Sequence, residues 1–308
     1  MPLAEMLGLI LAAAAGGAVN AVAGGGTLIT FPALLFFGTP PVIANATSTL
    51  ALVAGTSGGI YGYRQHIAAV KPWLARFVPV SLLGGLLGAI LLTHTSNQTF
   101  SKLVPFLILF ATLLFLTQSF FRSSKFKVQS SKSKAQISNF KSRISKPGDA
   151  DHATRNTQHA TRAGRLRERE RLRLRLSPPF TFHASRITHH AWPLLFQFLV
   201  SLYGGYFGAG IGILMLASLG FMGLSHIHEM NTLKTILSSL INLVAAVWFI
   251  FAGLIHWPKA GLMTMGALAG YFLGSHFSQR IPQARVRQII TLAGFILSAA
   301  TFYKQFVR

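Results

Sequence analysis

The sequence predicts an all-α polytopic membrane protein. It should have about eight transmembrane helices in two homologous four-helix repeats, each opening on a helix broken by glycines. Three observations carry this. The 308 residues are 51% hydrophobic and 11% charged, with mean hydropathy +0.50, against about 25% charged in soluble domains. The apolar runs reach the roughly 20 residues that a helix needs to cross the hydrocarbon. The two parts of the chain also match without gaps. Gly24 and Gly210, Gly26 and Gly212, Asn45 and Asn231, and Thr49 and Thr235 are each 186 positions apart. So are Pro72 and Pro258, Gly84 and Gly270, and Gly88 and Gly274. Glycine matches alone carry little in a chain with 29 glycines. The asparagine and proline matches in the same register point to an internal duplication.

Taken in order, Leu3 to Val22 is long enough to cross. Ala21-Val22-Ala23 fits a small-residue cleavage pattern, but Met1 to Met6 has no Lys or Arg and carries Glu5. An uncleaved first span is therefore expected. Gly24-Gly25-Gly26 breaks this span, and Thr27 to Phe37 is too short to cross. It reads as a half-helix, either completing one net crossing or re-entrant. A turn at Gly38-Thr39-Pro40-Pro41 leads into a span from Val42 to Tyr63. Arg64, Lys71 and Arg76 form a basic connection around Pro72, followed by spans at Trp73 to Thr93 and Phe100 to Phe121. Gly84 and Gly88 form a GxxxG pair that lets helix backbones approach closely.

Residues 122–190 are a different material, rich in Ser, Lys, Arg, Thr and His. Of the 28 Lys and Arg residues, 17 lie between Arg122 and Arg186. Low hydrophobicity with high charge predicts a disordered basic loop between membrane repeats at 1–121 and 191–308. A patch touching anionic lipid is a second reading of this loop. No fold or aromatic platform supports nucleic-acid binding despite the formal charge of +22. The second repeat reads as a span at Ala191 to Ala209, a half-helix at Ile213 to Gly223, and spans at Met230 to Leu254, Pro258 to Ser278 and Val286 to Tyr303.

With eight crossings, Arg64, Lys71, Arg76, Lys259, Lys304, Arg308 and the ends of the basic loop fall on one side. Lys102, Arg280, Arg285 and Arg287 fall on the other. The excess of positive charge places both termini and the long loop in the cytoplasm of a cell with the chain in its inner membrane. The basic Arg280 to Arg287 loop runs against that assignment.

A helix that starts inside a membrane leaves backbone N–H groups to be satisfied, and its N-terminus favours an anion. Two such ends, after Gly26 and after Gly212, facing each other would suit a small anion near the midplane. The plainer reading is that the glycines only permit close helix packing. Asn231, Thr235, Ser238 and Asn242 share one helical face, with Lys234 beside it. Asn45, Thr49 and Thr56 occupy the equivalent face of the first repeat. Such polar residues line a cavity or hydrogen-bond helices together. Lys234 either attracts the anion or snorkels towards the interface beside Glu229.

The candidate substrate-binding residues are therefore Gly24, Gly25, Gly26, Thr27, Asn45, Thr49, Gly210, Gly212, Asn231, Lys234 and Thr235. No metal or cofactor is expected. His226 and His228 lack a convincing third ligand, no HExxH pattern occurs, and the chain has no cysteine. No Walker loop or paired catalytic carboxylates occur either, which leaves no enzyme constellation. A coupling ion, proton or sodium, is an open partner, with Glu229, His228 and Lys234 as the titratable candidates.

Ala23-Gly24-Gly25-Gly26-Thr27-Leu28, Pro32, Gly38-Thr39-Pro40-Pro41 and Ala44-Asn45-Ala46-Thr47-Ser48 together resemble the first-repeat signature of the TauE/SafE sulfite-exporter-like permeases. The region from Gly210 to Asn231 resembles the weaker second copy. The likeness covers roughly residues 5–121 and 191–305. It implies a helical permease for sulfite, sulfonates or related organosulfur anions. Ser218 departs from the pattern where the first repeat has Pro32, as does Met230-Asn231-Thr232-Leu233-Lys234 where it has the Ala-Thr-Ser cluster. The expected function is a secondary permease or exporter of small anions, worked by alternating movement of the two repeats. The competing reading is a membrane-embedded assembly subunit that transports nothing, its polar stripe consumed by helix–helix hydrogen bonds.

Overall fold

Helix α1 spans Leu3–Val22, α2 Thr27–Phe36, α3 Pro41–Gly62, α4 Ile67–Thr93 and α5 Asn97–Leu114. After the basic segment come α6 at Ala191–Tyr206, α7 at Ile211–Phe221, α8 at Ile227–Phe251, α9 at Trp257–Phe277 and α10 at Gln283–Phe306. This computed structural model describes residues 1–22, 24–62, 67–114, 116, 191–222, 224, 227–277 and 283–306. The expected basic loop at 122–190, and with it Arg64, His226 and Arg280, lies outside the described residues. All described regular structure is helical. Helices α1, α4, α5 and α8 are long and apolar enough to cross a membrane by length and composition. Exposed leucines follow helical spacing, with Leu3, Leu7 and Leu11 on α1 and Leu83, Leu87 and Leu91 on α4. Such stripes face lipid.

The break after α1 is built by Asn20. Its carbonyl accepts the Gly24 N–H at 3.2 Å, and its side-chain oxygen accepts the Gly25 N–H at 3.1 Å. Gly24 and Gly25 have φ of 71° and 131°, a region open to glycine and strained for other residues. The turn sends α2 back along α1. A Cβ on Gly16 would meet Thr30 at 2.6 Å and Gly26 O at 3.0 Å, and one on Gly8 would meet the Phe37 ring at 2.6 Å. Lys259, at the start of α9, closes the hairpin. Its Nζ lies 2.8 Å from Glu5 Oε1 and donates to Phe37 O and Thr39 Oγ1, each at 3.0 Å. The end of α2 is thus beside the start of α1. Helix α2 therefore turns back along α1 rather than continuing its direction, and the chain begins α3 from the end where α1 began.

Helices α6 and α7 form a second hairpin from the opposite end. Helix α6 runs parallel to α4, with Gln197 Nε2 donating to Ser81 Oγ at 2.8 Å. A Cβ on Gly88 would lie 2.1 Å from Leu202 O. Near the Leu3 end, Tyr206 OH lies 3.5 Å from Thr95 Oγ1. The chain then turns back through α7, and α8 returns to the Leu3 end. There the His256 N–H donates to Thr47 Oγ1 at 3.1 Å.

The most extensive contacts are α1 along α9 and α4 along α6, followed by α8 on α4, α9 on α3 and α8 on α3. Helices α1 and α9 are parallel and joined through small residues. A Cβ on Gly266 would meet Ile10 O at 2.4 Å, and one on Gly270 would meet Ala14 O at 1.9 Å. Only glycine permits that approach. Helices α5 and α10 are antiparallel, with Ser298 Oγ donating to Pro105 O at 3.0 Å. An edge-to-face cluster packs Phe31 against Phe207 at 5.4 Å and against Phe100 at 6.2 Å. It joins α2, α5 and the α6–α7 turn.

One expected boundary moves. Pro72, read as part of a connection, lies inside α4 together with Pro79. Helix packing in membranes tolerates proline, because neighbouring groups take up the freed carbonyls.

Candidate anion site

The two hairpins meet in the interior. A Cβ on Gly24 would lie 3.6 Å from the Gly212 Cα, so the broken segments are in backbone contact. Gly26 is the N-cap of α2 and Gly210 the N-cap of α7, and neither helix start has a side-chain cap. Gly210 holds its turn at φ 75°. Two helix N-termini, each with partial positive charge, are thus directed at one place from opposite ends of the bundle.

A cavity of about 50 Å³ lies there, room for a few waters or a small ion. The α1–α2 turn contributes Asn20, Ala21, Gly24, Gly25 and Thr27, and the start of α7 contributes Ile211 and Gly212 along with Gly208. Helix α3 adds Thr49, Leu52 and Thr56, and α9 adds Tyr271. Helix α8 supplies Lys234, Thr235, Ser238, Ser239 and Asn242. The 3.6-residue period puts positions 234, 235, 238 and 242 on one face.

Seven of the expected binding residues come together in this lining: Gly24, Gly25, Thr27, Thr49, Gly212, Lys234 and Thr235. Four do not. Gly26 packs on α1, where a Cβ would be 2.3 Å from Gly16 O. Asn45 is buried away from the cavity and donates from Nδ2 to Tyr206 O at 3.0 Å, its Oδ1 without a partner. Gly210 shapes the turn before α7, facing Ala111. Asn231 lies one turn before the lining residues, towards the start of α8. Sequence reasoning singled out Thr56, Ser238 and Asn242 as stripe members but passed over Asn20 and Tyr271. The signal for Asn20 was its place four and five residues before the glycine pair.

Lys234 brings the cavity its cation. A Cβ on Gly212 would lie 3.4 Å from the Lys234 Cδ. No carboxylate pairs with Lys234 among the described residues. Of the chain's six Asp and Glu residues, Asp149, Asp151, Glu168 and Glu170 lie in the basic segment. Glu5 is engaged by Lys259. Glu229 is buried in the first turn of α8, five positions from Lys234, which turns the two side chains to different faces.

Several hydroxyls already donate to helix carbonyls: Thr49 to Asn45 O at 2.9 Å, Thr56 to Val53 O at 3.0 Å and Ser238 to Lys234 O. No cluster of three or more His, Cys, Asp or Glu able to hold a metal occurs among the described residues.

The sulfite exporter TauE/SafE profile matches residues 9–301. The chain belongs to the TauE/SafE family. It is 25% identical over 289 residues to a probable membrane transporter protein of Haemophilus influenzae, covering 93% of this chain and 90% of that one. It is 28% identical over 301 residues to the probable membrane transporter protein ORF9 of a Sinorhizobium species, covering 95% and 88%. It is 22% identical over 298 residues to the probable membrane transporter protein YfcA of Escherichia coli K12, covering 96% and 88%. No solved structure matches the chain. The family is one of membrane transporters.

Proposed function

We propose that this TauE/SafE chain is a secondary permease of small anions such as sulfite, sulfonates or related organosulfur and organic acids. One observation carries the reading. Lys234 lines a cavity where two helix N-termini without side-chain caps converge, and no carboxylate pairs with it among the described residues. An isolated charge removed from water is costly unless paired, and a small anion completes the pair. Gly24, Gly25, Thr27, Gly212 and Thr235 border that position, and Lys234 offsets the charge. No Asp or Glu is among the described residues that line the cavity.

The duplication reading is supported by the packing. Shifting by 186 positions turns α1 on α9 into α6 on α4, and α3 on α9 into α8 on α4. On this reading six helices make net crossings, α3 to α5 and α8 to α10, and the two hairpins enter from opposite faces. That differs from the expected eight crossings, because each half-helix returns to its own side. The sidedness changes with it. Lys71 and Arg76 near the start of α4, and Arg285 and Arg287 in the first turn of α10, fall at the end where the basic segment joins α5 and α6. That end is the cytoplasmic one by the excess of positive charge. The described ends of the chain, Leu3 and Phe306, fall opposite, and the Arg280 to Arg287 loop no longer runs against the rule.

The test is flux in proteoliposomes. Sulfite, methanesulfonate and acetate are offered to the wild type and to Lys234→Gln. The expected result is flux of at least one anion above empty liposomes. Its apparent affinity should fall roughly ten- to a hundredfold in the variant, the range for losing a hydrogen bond to a charged group. A folded wild type that moves none of the three sinks the proposal, as does Lys234→Gln with unchanged affinity.

A further inference from the structure

We infer that Asn20 is an anion-binding residue of the cavity. Its side chain is held by the loop it terminates, and it offers a neutral amide N–H to an anion in the cavity that Lys234 also lines. This rests on the anion-permease reading above.

The geometry assigns the two ends of the Asn20 carboxamide. Its Oδ1 accepts the Gly25 N–H at 3.1 Å, and its backbone oxygen accepts the Gly24 N–H at 3.2 Å. A backbone N–H can only donate, so the atom facing Gly25 must be the acceptor oxygen. The Nδ2, with two donors, is left with no protein partner among the described residues, and the side chain borders the cavity. Gly24 and Gly25 of this turn have φ of 71° and 131°, so the carboxamide is held by a loop whose backbone suits glycine.

The other lining groups do not share this property. The hydroxyls of Thr49, Thr56 and Ser238 already donate to carbonyls of their own helices. Their remaining lone pairs suit a donor, not an oxyanion. Ser239 Oγ donates to Thr56 O at 3.4 Å. Among the described residues no hydrogen bond fixes a donor of Thr27, Thr235 or Asn242, and the Lys234 side chain rotates on a flexible stem. Asn20 is the lining side chain whose acceptor is bound to backbone and whose donor is left over. A donor that needs no reorganisation favours the ligand more than one that must be turned.

The discriminating variant is Asn20→Asp. A carboxylate oxygen still accepts the Gly25 N–H, so the loop bond is kept, but the variant also adds a negative charge to the cavity. Neutral Asn20→Ala is therefore run as its control, and unchanged binding by a folded Asn20→Ala overturns the assignment. The second oxygen replaces the amide donor with an acceptor in the cavity, so the binding role predicts loss. Sulfite, methanesulfonate and acetate binding is measured by calorimetry on purified full-length wild type, Asn20→Asp and Asn20→Ala, with thermal unfolding run alongside. The expected result is at least tenfold weaker binding by Asn20→Asp of whichever anion the wild type binds, with wild-type unfolding temperature. Asn20→Ala loses both the loop bond and binding. Should Asn20→Asp unfold early, Asn20→Ser serves in its place: it is neutral, keeps a short acceptor, and carries its one O–H donor on a shorter side chain, so it binds more weakly. Equal binding by a folded Asn20→Asp and the wild type overturns the Asn20 assignment alone. A wild type that binds none of the three anions overturns the permease reading, and this assignment with it.

Discussion

Lys259 Nζ lies 2.8 Å from Glu5 Oε1 across the interface between α9 and α1, both side chains mostly shielded from solvent. The same ammonium donates to Phe37 O and Thr39 Oγ1 at the end of α2. One cation thus pins the open end of the first hairpin to a helix from the far part of the sequence. Removing one partner of a shielded pair strands the other, at a cost of about 3–5 kcal/mol. Lys259→Met should therefore lower thermal stability in detergent by several degrees, and by more than Glu5→Gln, which leaves the contacts to Phe37 and Thr39. The double variant Glu5→Leu with Lys259→Met should recover much of the loss. Equal melting of wild type and Lys259→Met would show the pin to be idle.

The glycine stripes differ sharply in tolerance. A Cβ at Gly270 would sit 1.9 Å from Ala14 O, and one at Gly88 2.1 Å from Leu202 O, both backbone atoms that cannot turn aside. Gly261, in the same helix as Gly270, meets nothing within 4 Å. Gly270→Ala and Gly88→Ala should each separate a helix pair and sharply reduce folded yield on size-exclusion chromatography. Gly261→Ala should fold as the wild type or gain a few tenths of a kcal/mol, since alanine favours helix by up to about 1 kcal/mol. Similar yields for all three would refute the close-packing account.

At the cavity, two glycines in mutual contact should respond differently to the same methyl group. Gly212→Ala meets Lys234 Cδ at 3.4 Å and Gly24 Cα at 3.7 Å, ordinary contacts, in helical backbone. Gly24→Ala would also fit by space, but its φ of 71° makes it strained by about 1–2 kcal/mol. Gly212→Ala is predicted to keep its melting temperature while weakening anion flux, and Gly24→Ala to lose stability as well. Parallel melting and flux assays decide this, and a Gly212→Ala protein with full flux would remove that glycine from the site.

Gln197 is fully buried between α6 and α4. Its Nε2 donates to Ser81 Oγ at 2.8 Å, while its Oε1 has no partner. A buried acceptor without a donor costs about 1–3 kcal/mol. Gln197→Leu with Ser81→Ala leaves of the cluster only Ser201 Oγ, which donates to the backbone carbonyl of residue 197. It should be neutral or stabilising, whereas Ser81→Ala alone should destabilise by about 1 kcal/mol. Denaturant or thermal titration of the three proteins separates these outcomes.

Much of the helical scaffold was legible in the sequence because hydropathy and glycine breaks are local signals. Leu3–Val22 was read to the residue, and most other boundaries moved by only a few positions. Direction was not legible. A half-helix has the same length and composition whether it continues across or turns back, and only the contacts of Lys259 with Glu5, Phe37 and Thr39 decide it. The cavity was legible where side chains fell on one helical face, as with Lys234, Thr235, Ser238 and Asn242. It was illegible at Asn45, whose polarity serves the Tyr206 carbonyl instead. It was also illegible at Asn20, a lone amide at the end of an apolar helix.

The exchange of partners between the ends of the chain has a consequence for synthesis. Helix α1 is made before α9, carrying a Gly and Ala face that packs on α9, and the whole basic segment is translated between the two. A chain truncated after α5 therefore lacks the partner surface of α1, and a pulse-chase experiment is expected to show it degraded faster than the full chain.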